Sequence, residues 1–351
     1  MQAITFQGVH DFRYEQTKEP ALEADSDVIV GVTQTAICGS DLHLWHGSLP
    51  AAEPGFVVGH ECVGVVEEVG SAVQTMAKGD RVFVSCTLGC GTCAFCRRGL
   101  YSGCTVTTAG GTRSNIMGFS AAFPGVQAER VRVPFADANV FRLPDGVSNE
   151  QSLFLTDILP TAEMVIQFAE VKPGDRVVIL GCGPVGALAQ RCAQIHGAAR
   201  VIAVDLEDTR LARARALGCD TVNPDKENLA ERVLELTGGE GADAVIEAVG
   251  RPELIASAAL LLRPGGITAV AGVNVAPVEL PWALYMMRNL SLRAGLVNPQ
   301  NHVRPLLSLI ESGRLDPTEI ITHRMPLSEG IAGYEMFAER RAGVLKVVLE
   351  T

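Results

Sequence analysis

Apolar and polar positions follow two textures along the chain. From Asp27 to about Pro134 the apolar residues gather in short runs, among them VIVGVTQ, CVGVVEEVG and RVFVS, divided by glycine and proline turns. Runs of β-branched residues between turn formers predict strands, so this stretch is read as a mainly β region. From Val171 the period changes. The segment VKPGDRVVILGCGPVGALAQRCAQIHGAARVIAVD reads as apolar strand, glycine turn, long helical pattern and second apolar strand, which is a βαβ unit. Further strands are predicted in ADAVIEAVG and GGITAVAGV, each after a helix-like segment. Residues from about 158 to 296 therefore read as a parallel sheet covered on both faces. The tail returns to mixed texture and ends in the strand-like GVLKVVLE, and no internal repeat or low-complexity segment interrupts the pattern.

Composition narrows the class. A chain of 351 residues that is 47% hydrophobic has apolar material for two ordinary cores, so two domains are expected. The net charge of −11, with acidic residues interleaved rather than in blocks, argues against a nucleic-acid groove or an anionic membrane surface and for small-molecule chemistry. Ten cysteines in so long a chain do not make a disulfide-stapled mini-domain. The opening MQAITFQGVHDFRYEQ has no basic stretch followed by an apolar one, and no run of 18 or more apolar residues occurs; a soluble cytoplasmic protein with reduced thiols is expected.

Three groups of residues carry candidate chemistry. Gly181, Gly183 and Gly186 form a G-x-G-x-x-G turn straight after a strand and at the head of a helix. Such glycines permit the tight turn, close approach of a pyrophosphate and packing of helix on strand, while the helix N-terminus offers unpaired N–H groups. Asp205 ends the following strand nineteen residues after Gly186, where an acid can accept hydrogen bonds from ribose hydroxyls. The plainer alternative is a glycine turn that only packs helix on strand. Next, LGCGTCAFCRRGLYSGC sets Cys90, Cys93, Cys96 and Cys104 at C-x2-C-x2-C-x7-C. Disulfides, nucleophiles, ligands of a working metal and a structural staple are all open readings of it. Last, three isolated pieces carry metal-ligand types: AICGSDLH with Cys38, VVGHECVG with His60 and Glu61, and LFLTDILPT with Asp157. Taken singly, each is equally a small buried thiol, a core histidine, or a cap for the helix starting near Leu159.

Together and in this order, CGSDLH, GHECVGVVEEVG, the four-cysteine lobe and GCGPVG resemble the zinc-dependent medium-chain alcohol dehydrogenase family over the whole chain. TDILPT and GVQAERVRVP look most like its branch of secondary-alcohol and formaldehyde dehydrogenase-like enzymes. The resemblance implies an α/β chain: a Rossmann-type doubly wound parallel sheet domain at 158–296, and a mainly β, GroES-like catalytic domain from 1–157 and 297–351 with a four-cysteine lobe at 86–106. It implies two zincs per chain, one structural on Cys90, Cys93, Cys96 and Cys104, and one catalytic on Cys38, His60 and Asp157 with an open position. Asp157 is a departure, since many relatives place a second cysteine there; formal charge is kept, while ligand softness changes. Glu61 matches a residue that enters the metal shell transiently in relatives, and Asp41 one that holds the other nitrogen of His60.

The same resemblance gives Ser40 and His43 as a proton relay through the nicotinamide ribose, and Gly181, Gly183, Pro184, Val185, Gly186, Asp205, Arg210, Val249, Gly272 and Lys346 as cofactor contacts. NAD is expected over NADP, because Asp205 would meet a 2′-phosphate as a like charge; Glu207 and Asp208 deepen that field and Arg210 partly offsets it. Leu49, Cys86, Val273 and Leu296 are expected around the reacting carbon, with Trp45 and Trp282 either adding to this wall or belonging to the core. The small Cys86, where some relatives carry a large aromatic, suggests room for secondary or bulky alcohols and their ketones. The expected activity is reversible hydride transfer between NAD and an apolar primary or secondary alcohol, with ketone or aldehyde as its counterpart. The alternatives are a polyol or sugar dehydrogenase of the same family and a catalytically silent relative of the fold. A homotetramer or homodimer is expected, with no nucleic-acid or membrane partner.

Overall fold

Alternation at period two places Val28, Val30 and Val32 on one face of the strand Val28–Ile37, where they are buried with Val66, Val82, Val84 and Val131 from its neighbours. This strand is central to a seven-stranded sheet in a computed structural model that describes residues 1–48, 53–339, 341 and 343–351. The contacts divide the chain into two units, Met1–Pro160 with Val297–Thr351, and Thr161–Leu296.

The first unit is mainly β. Its larger sheet runs Ile321–Pro326, Lys346–Glu350, Val28–Ile37, Cys62–Val69, Arg81–Val84 and Val140–Arg142, with Arg130–Val133 also paired to Val28–Ile37. Pairing is antiparallel throughout except between Ile321–Pro326 and Lys346–Glu350. A three-stranded sheet of Asp11–Gln16, Gln2–Gly8 and Phe56–Val57 packs nearby. Between the sheets lies an aromatic core: the helix Gly330–Ala338 brings Tyr334, whose ring stacks on Trp45 with centroids 6.0 Å apart and meets Phe12 edge-on at 4.8 Å. Of the two readings open for Trp45, the structure gives the core: it is 7% exposed and also edge-on to Phe12.

The second unit is a six-stranded, wholly parallel sheet. Its strands lie in the order Asp220–Val222, Arg200–Val204, Arg176–Leu180, Ala242–Glu247, Leu262–Val270 and Ser291–Ala294, which in order of appearance is 3-2-1-4-5-6. That is the Rossmann arrangement, and its direction of winding reverses beside Arg176–Leu180, where such folds open a crevice for a ligand. The apolar runs VVIL and VIAV are buried because helices cover both faces of a parallel sheet. Trp282 opens the helix Trp282–Arg288 and is 65% exposed, so within this unit it belongs to no core. Among the described residues no helix is long and apolar enough to cross a membrane.

One buried acid ties two helices of this unit together. Glu163, on Ile158–Phe168, accepts from Gln167 at 2.8 Å and lies 2.9 Å from Nε2 of His196, the residue that ends the helix Pro184–Ile195. The Cys192 thiol faces the same carboxylate. The bond to Glu163 raises the His196 imidazole above its ordinary 6.5, against the opposing effect of burial. A raised folded-state value stabilises the fold below 6.5 and ceases to do so as pH climbs past the raised value. The variant His196→Gln is therefore expected to lose stability at about pH 6, with the loss shrinking by about pH 9; urea unfolding at the two values checks this, and a loss that grows with pH overturns it.

Candidate functional site

The four clustered cysteines lie on a loop between the strands Arg81–Val84 and Arg130–Val133 of the first unit, folded by single turns at Cys96–Arg98 and Tyr101–Gly103. Left-handed Gly91 and Gly99 let the chain double back. The four Sγ atoms all lie within 4.8 Å of one another, and none is in a disulfide. Cys93 and Cys104 Sγ are 3.9 Å apart, close to the edge of about 3.8 Å that follows from Zn–S bonds of about 2.3 Å in a tetrahedron. Backbone N–H groups point at the sulfurs: Cys90 to Cys104 at 3.3 Å, Cys93 to Cys90 at 3.3 Å, Cys96 to Cys93 at 3.5 Å and Thr107 to Cys104 at 3.5 Å. Donors of this kind stabilise thiolate, and the Cys96 N–H is the main reason the Cys93 thiol is brought down to about 5.

A second cluster forms where three segments of the first unit meet. Cys38 follows the strand Val28–Ile37, His60 and Glu61 precede Cys62–Val69, and Asp157 sits between the turn Phe154–Thr156 and the helix Ile158–Phe168. Their ligand atoms lie within 4.8 Å of one another. His60 Nε2 is 3.2 Å from Asp157 Oδ2 and 3.2 Å from Ser40 Oγ, and Cys38 Sγ is 3.4 Å from Asp157 Oδ2. On the far side of the ring, Nδ1 is 3.1 Å from Asp41 Oδ1. A carboxylate there favours the Nδ1–H tautomer and turns the Nε2 lone pair into the cluster. Cys86 Sγ is 3.6 Å from Asp157 Oδ1, and the Phe119 ring lies 5.5 Å from the His60 ring.

Electrostatics mark this cluster as a dense set of buried ionisable groups. Lys346, expected among the cofactor contacts, is placed with its ammonium fully buried against Glu61, 2.8 Å from Oε1 and 2.7 Å from Oε2. It also faces Asp157 and the Cys38 thiol. Burial, followed by the charges of Asp157 and Glu61, pushes the Cys38 thiol up, and burial likewise raises Glu61; against burial, Asp41 holds the His60 imidazole well above its ordinary value. One sulfur, one imidazole and one or two carboxylates form a donor set that fits a divalent metal such as zinc. His43 lies half-buried on the short helix Asp41–Trp45, with burial and then His46 holding it below its ordinary value.

In the second unit the glycine turn is built as its spacing requires. A Cβ on Gly186 would stand 1.9 Å from the Gly181 carbonyl, and Gly181 itself has φ +95°. A Cβ on Gly183 would meet nothing within 4 Å, so the space over the turn is open where a pyrophosphate would come close. Pro184 opens the helix and Val185 follows it. Asp205 Oδ2 accepts the Cys182 N–H at 2.7 Å and Oδ1 the Glu207 N–H at 2.9 Å, with Arg210 3.7 Å away. One further loop at this edge is pinned by Glu247, a fully buried acid that accepts from Val249 at 3.0 Å and Gly250 at 2.9 Å. Val249, Val273 and Leu296 are partly exposed in this unit, and Gly272 is so close to Gly250 that a Cβ would reach its nitrogen at 2.0 Å. Leu49 lies outside the described residues.

Comparison with known proteins decides the family. Residues 24–145 match the alcohol dehydrogenase GroES-like domain and residues 184–312 the zinc-binding dehydrogenase domain. The chain is 37% identical to a zinc-type alcohol dehydrogenase-like protein AdhB of Bacillus subtilis, over all of both chains. The chain belongs to the zinc-dependent medium-chain alcohol dehydrogenase family. Within that family it is also 30% identical to "Probable D-xylulose reductase A" of Aspergillus clavatus, over 97% of this chain and 94% of that one. The solved alcohol dehydrogenase of Thermus sp. ATN1 superposes with a TM-score of 0.94 at 38% identity, covering all of both chains. Membership makes the chain an oxidoreductase of the alcohol dehydrogenase kind in a zinc-binding family.

Sequence reasoning did not find Tyr334, Gln127, Phe119 or Glu247. Glu247 left a signal, a carboxylate inside the apolar run AVIEAVG; the others contact the site only through tertiary packing. For the cysteine lobe, Cys96→Ser is expected to lower the melting temperature by several degrees and to cost about one metal per chain, because metal-binding energy here is folding energy. Calorimetry with metal analysis checks it, and unchanged stability and metal content with reduced turnover overturns it.

Proposed function

We propose that this family member is an NAD-dependent enzyme with two zincs per chain that interconverts an apolar primary or secondary alcohol and its aldehyde or ketone. The observation that carries the reading is the convergence of Cys38, His60 and Asp157 within 4.8 Å, with Glu61 beside them. Bound there, zinc supplies Lewis acidity that eases loss of an alcohol's proton, and NAD supplies the hydride acceptor. Cys38, His60 and Asp157 hold the metal, and Asp41 fixes the tautomer of His60. Ser40 Oγ, 3.2 Å from His60 Nε2, accepts a hydrogen bond from a hydroxyl arriving beside that nitrogen and relays the proton by passing on its own in the same exchange. His43, kept below its ordinary value by burial, accepts and releases a proton towards solvent. Lys346 donates to Oε1 of Glu61 and lies 2.7 Å from Oε2, which holds that carboxylate in place beside the three ligands. The four cysteines of the lobe hold the second zinc as a closed structural site.

The buried thiol Cys86 beside Asp157 is a small apolar neighbour, which favours an apolar and branched substrate over a polyol needing several polar partners. In the second unit the turn at Gly181, Gly183 and Gly186 holds the pyrophosphate, and Asp205 keeps acceptor sites for the ribose hydroxyls beyond its two backbone bonds. Exposed Trp282, Met286 and Met287 on one helix of this unit support self-association in a cytoplasmic homo-oligomer.

Activity on a panel of primary, secondary, aromatic and polyol substrates with NAD and NADP tests the reading. Asp157→Ala is expected to reduce zinc from two per chain towards one and to abolish turnover, and retention of both zincs with near-normal rates removes Asp157 from the site. For the cofactor, discrimination against NADP of roughly 2 kcal/mol, a factor of about thirty in kcat/KM, is expected from a carboxylate set against a 2′-phosphate. Asp205→Ser narrows that gap. Equal or better use of NADP by the unaltered enzyme overturns the assignment.

A further inference from the structure

We propose that Tyr334 is a positioning residue for the metal-ligating histidine, acting through Asp41: its hydroxyl holds the carboxylate in the orientation that keeps His60 turned into the cluster. The inference rests on the reading that Cys38, His60 and Asp157 hold zinc. Asp41 is fully buried. Its Oδ2 accepts the Cys38 N–H at 2.9 Å and lies 3.2 Å from the Tyr334 hydroxyl. Its Oδ1 is left facing His60 Nδ1 at 3.1 Å as an ion-pair contact, and neither atom has an aligned hydrogen-bond partner among the described residues, so each is the other's nearest polar neighbour only while the carboxylate keeps this orientation. The rotation of this carboxylate therefore sets the rotation of the imidazole. The Cys38 N–H alone constrains one oxygen from one side; the tyrosine hydroxyl is the second constraint.

The hydroxyl is itself held. Tyr334 is fully buried, stacked on Trp45 at 6.0 Å and edge-on to Phe12 at 4.8 Å, so the ring has no other orientation open to it. Gln127 Oε1 is 2.9 Å from the same hydroxyl, and Gln127 Nε2 donates to the Ala36 carbonyl at 3.2 Å, which fixes the amide with its oxygen towards the tyrosine. The single phenolic proton thus lies between two acceptors, Gln127 Oε1 at 2.9 Å and Asp41 Oδ2 at 3.2 Å. A core tyrosine needing only a partner for its hydroxyl would be satisfied by Gln127; the second contact, to the carboxylate behind the histidine, is what that plainer role does not require.

The test is Tyr334→Phe, which keeps the ring and removes one oxygen, in the zinc-loaded enzyme. Zinc release to a chromogenic chelator is followed together with the visible spectrum of the Co²⁺-substituted protein. Expected is release of the histidine-bound zinc roughly tenfold faster than in the unaltered protein, with altered Co²⁺ bands and unchanged release from the four cysteines. Phe56→Leu, in the same core but against Phe6 rather than the tyrosine ring, is expected to lower the melting temperature and leave both release rates unchanged. Release from Tyr334→Phe within twofold of the unaltered rate, or equal acceleration by Phe56→Leu, overturns the positioning role. An unaltered protein that holds only the four-cysteine zinc overturns the metal assignment beneath it, and this inference with it.

Discussion

A dense set of buried ionisable groups is the constraint around which the first unit is organised. Glu61 is fully buried and Asp157 largely so, with the Cys38 thiol facing both; among the described residues Lys346 stands against Glu61, and His60, held well above its ordinary value by Asp41 against the effect of burial, stands against Asp157. Burying charged groups costs several kcal/mol each in a low-dielectric interior. The strands cannot relieve that cost by moving apart, since Val28–Ile37 and Cys62–Val69 are paired along their length and Lys346 opens the strand that pairs with both Val28–Ile37 and Ile321–Pro326. The sheet therefore holds these donors together in a site that a divalent cation would fit. The lobe of four cysteines follows the same logic with thiolates, and there the balance begins in the backbone, through N–H groups directed at each sulfur that receives them.

The second unit meets a different requirement, for space rather than charge. Its parallel strands all end at one edge, where the winding reverses; the Gly181 turn comes close to the loop after Ala242–Glu247, and that loop in turn to the one after Leu262–Val270. Side chains are excluded there by contact: Gly181 against Val249, Gly186 against Gly181, Gly272 against Gly250. Glu247 holds the loop that follows its own strand, its carboxylate accepting the Val249 and Gly250 N–H groups. The result is an edge of closely packed backbone with the acid Asp205 at its rim.

Much of this is legible in the sequence because it depends on local pattern. The β texture, the switch to strand–helix alternation at Val171, the glycine turn and the four-cysteine spacing each express a requirement that neighbours in the chain satisfy together. What escapes has no local pattern to betray it. The strands Asp220–Val222 and Ser291–Ala294 lie at the edges of the parallel sheet, and with few buried positions they carry no apolar run. Tyr334 reaches Asp41 across 293 residues and Lys346 reaches Glu61 across 285, so only the folded chain reveals those pairs. Trp45 misleads in the opposite sense: its place two residues after His43 suggests a pocket wall, while its ring faces the aromatic core on the other side of the helix.

The aspartate at position 157 shows how these levels interact. A carboxylate offers two oxygens where a thiolate offers one sulfur, and here both are used: Oδ2 faces Cys38 and His60, and Oδ1 faces Cys86. An oxygen ligand brings the metal closer than sulfur does, by about 0.2 Å, and is harder, which leaves more positive charge on the ion. With zinc bound as proposed, a site with one thiolate would be a stronger Lewis acid than a site with two, and would bind its metal less tightly. That combination would place more of the burden of retaining the ion on the orientation of His60. The carboxylate of Asp41 and the hydroxyl of Tyr334 behind it stand where that burden would fall, inside the aromatic core of the first unit.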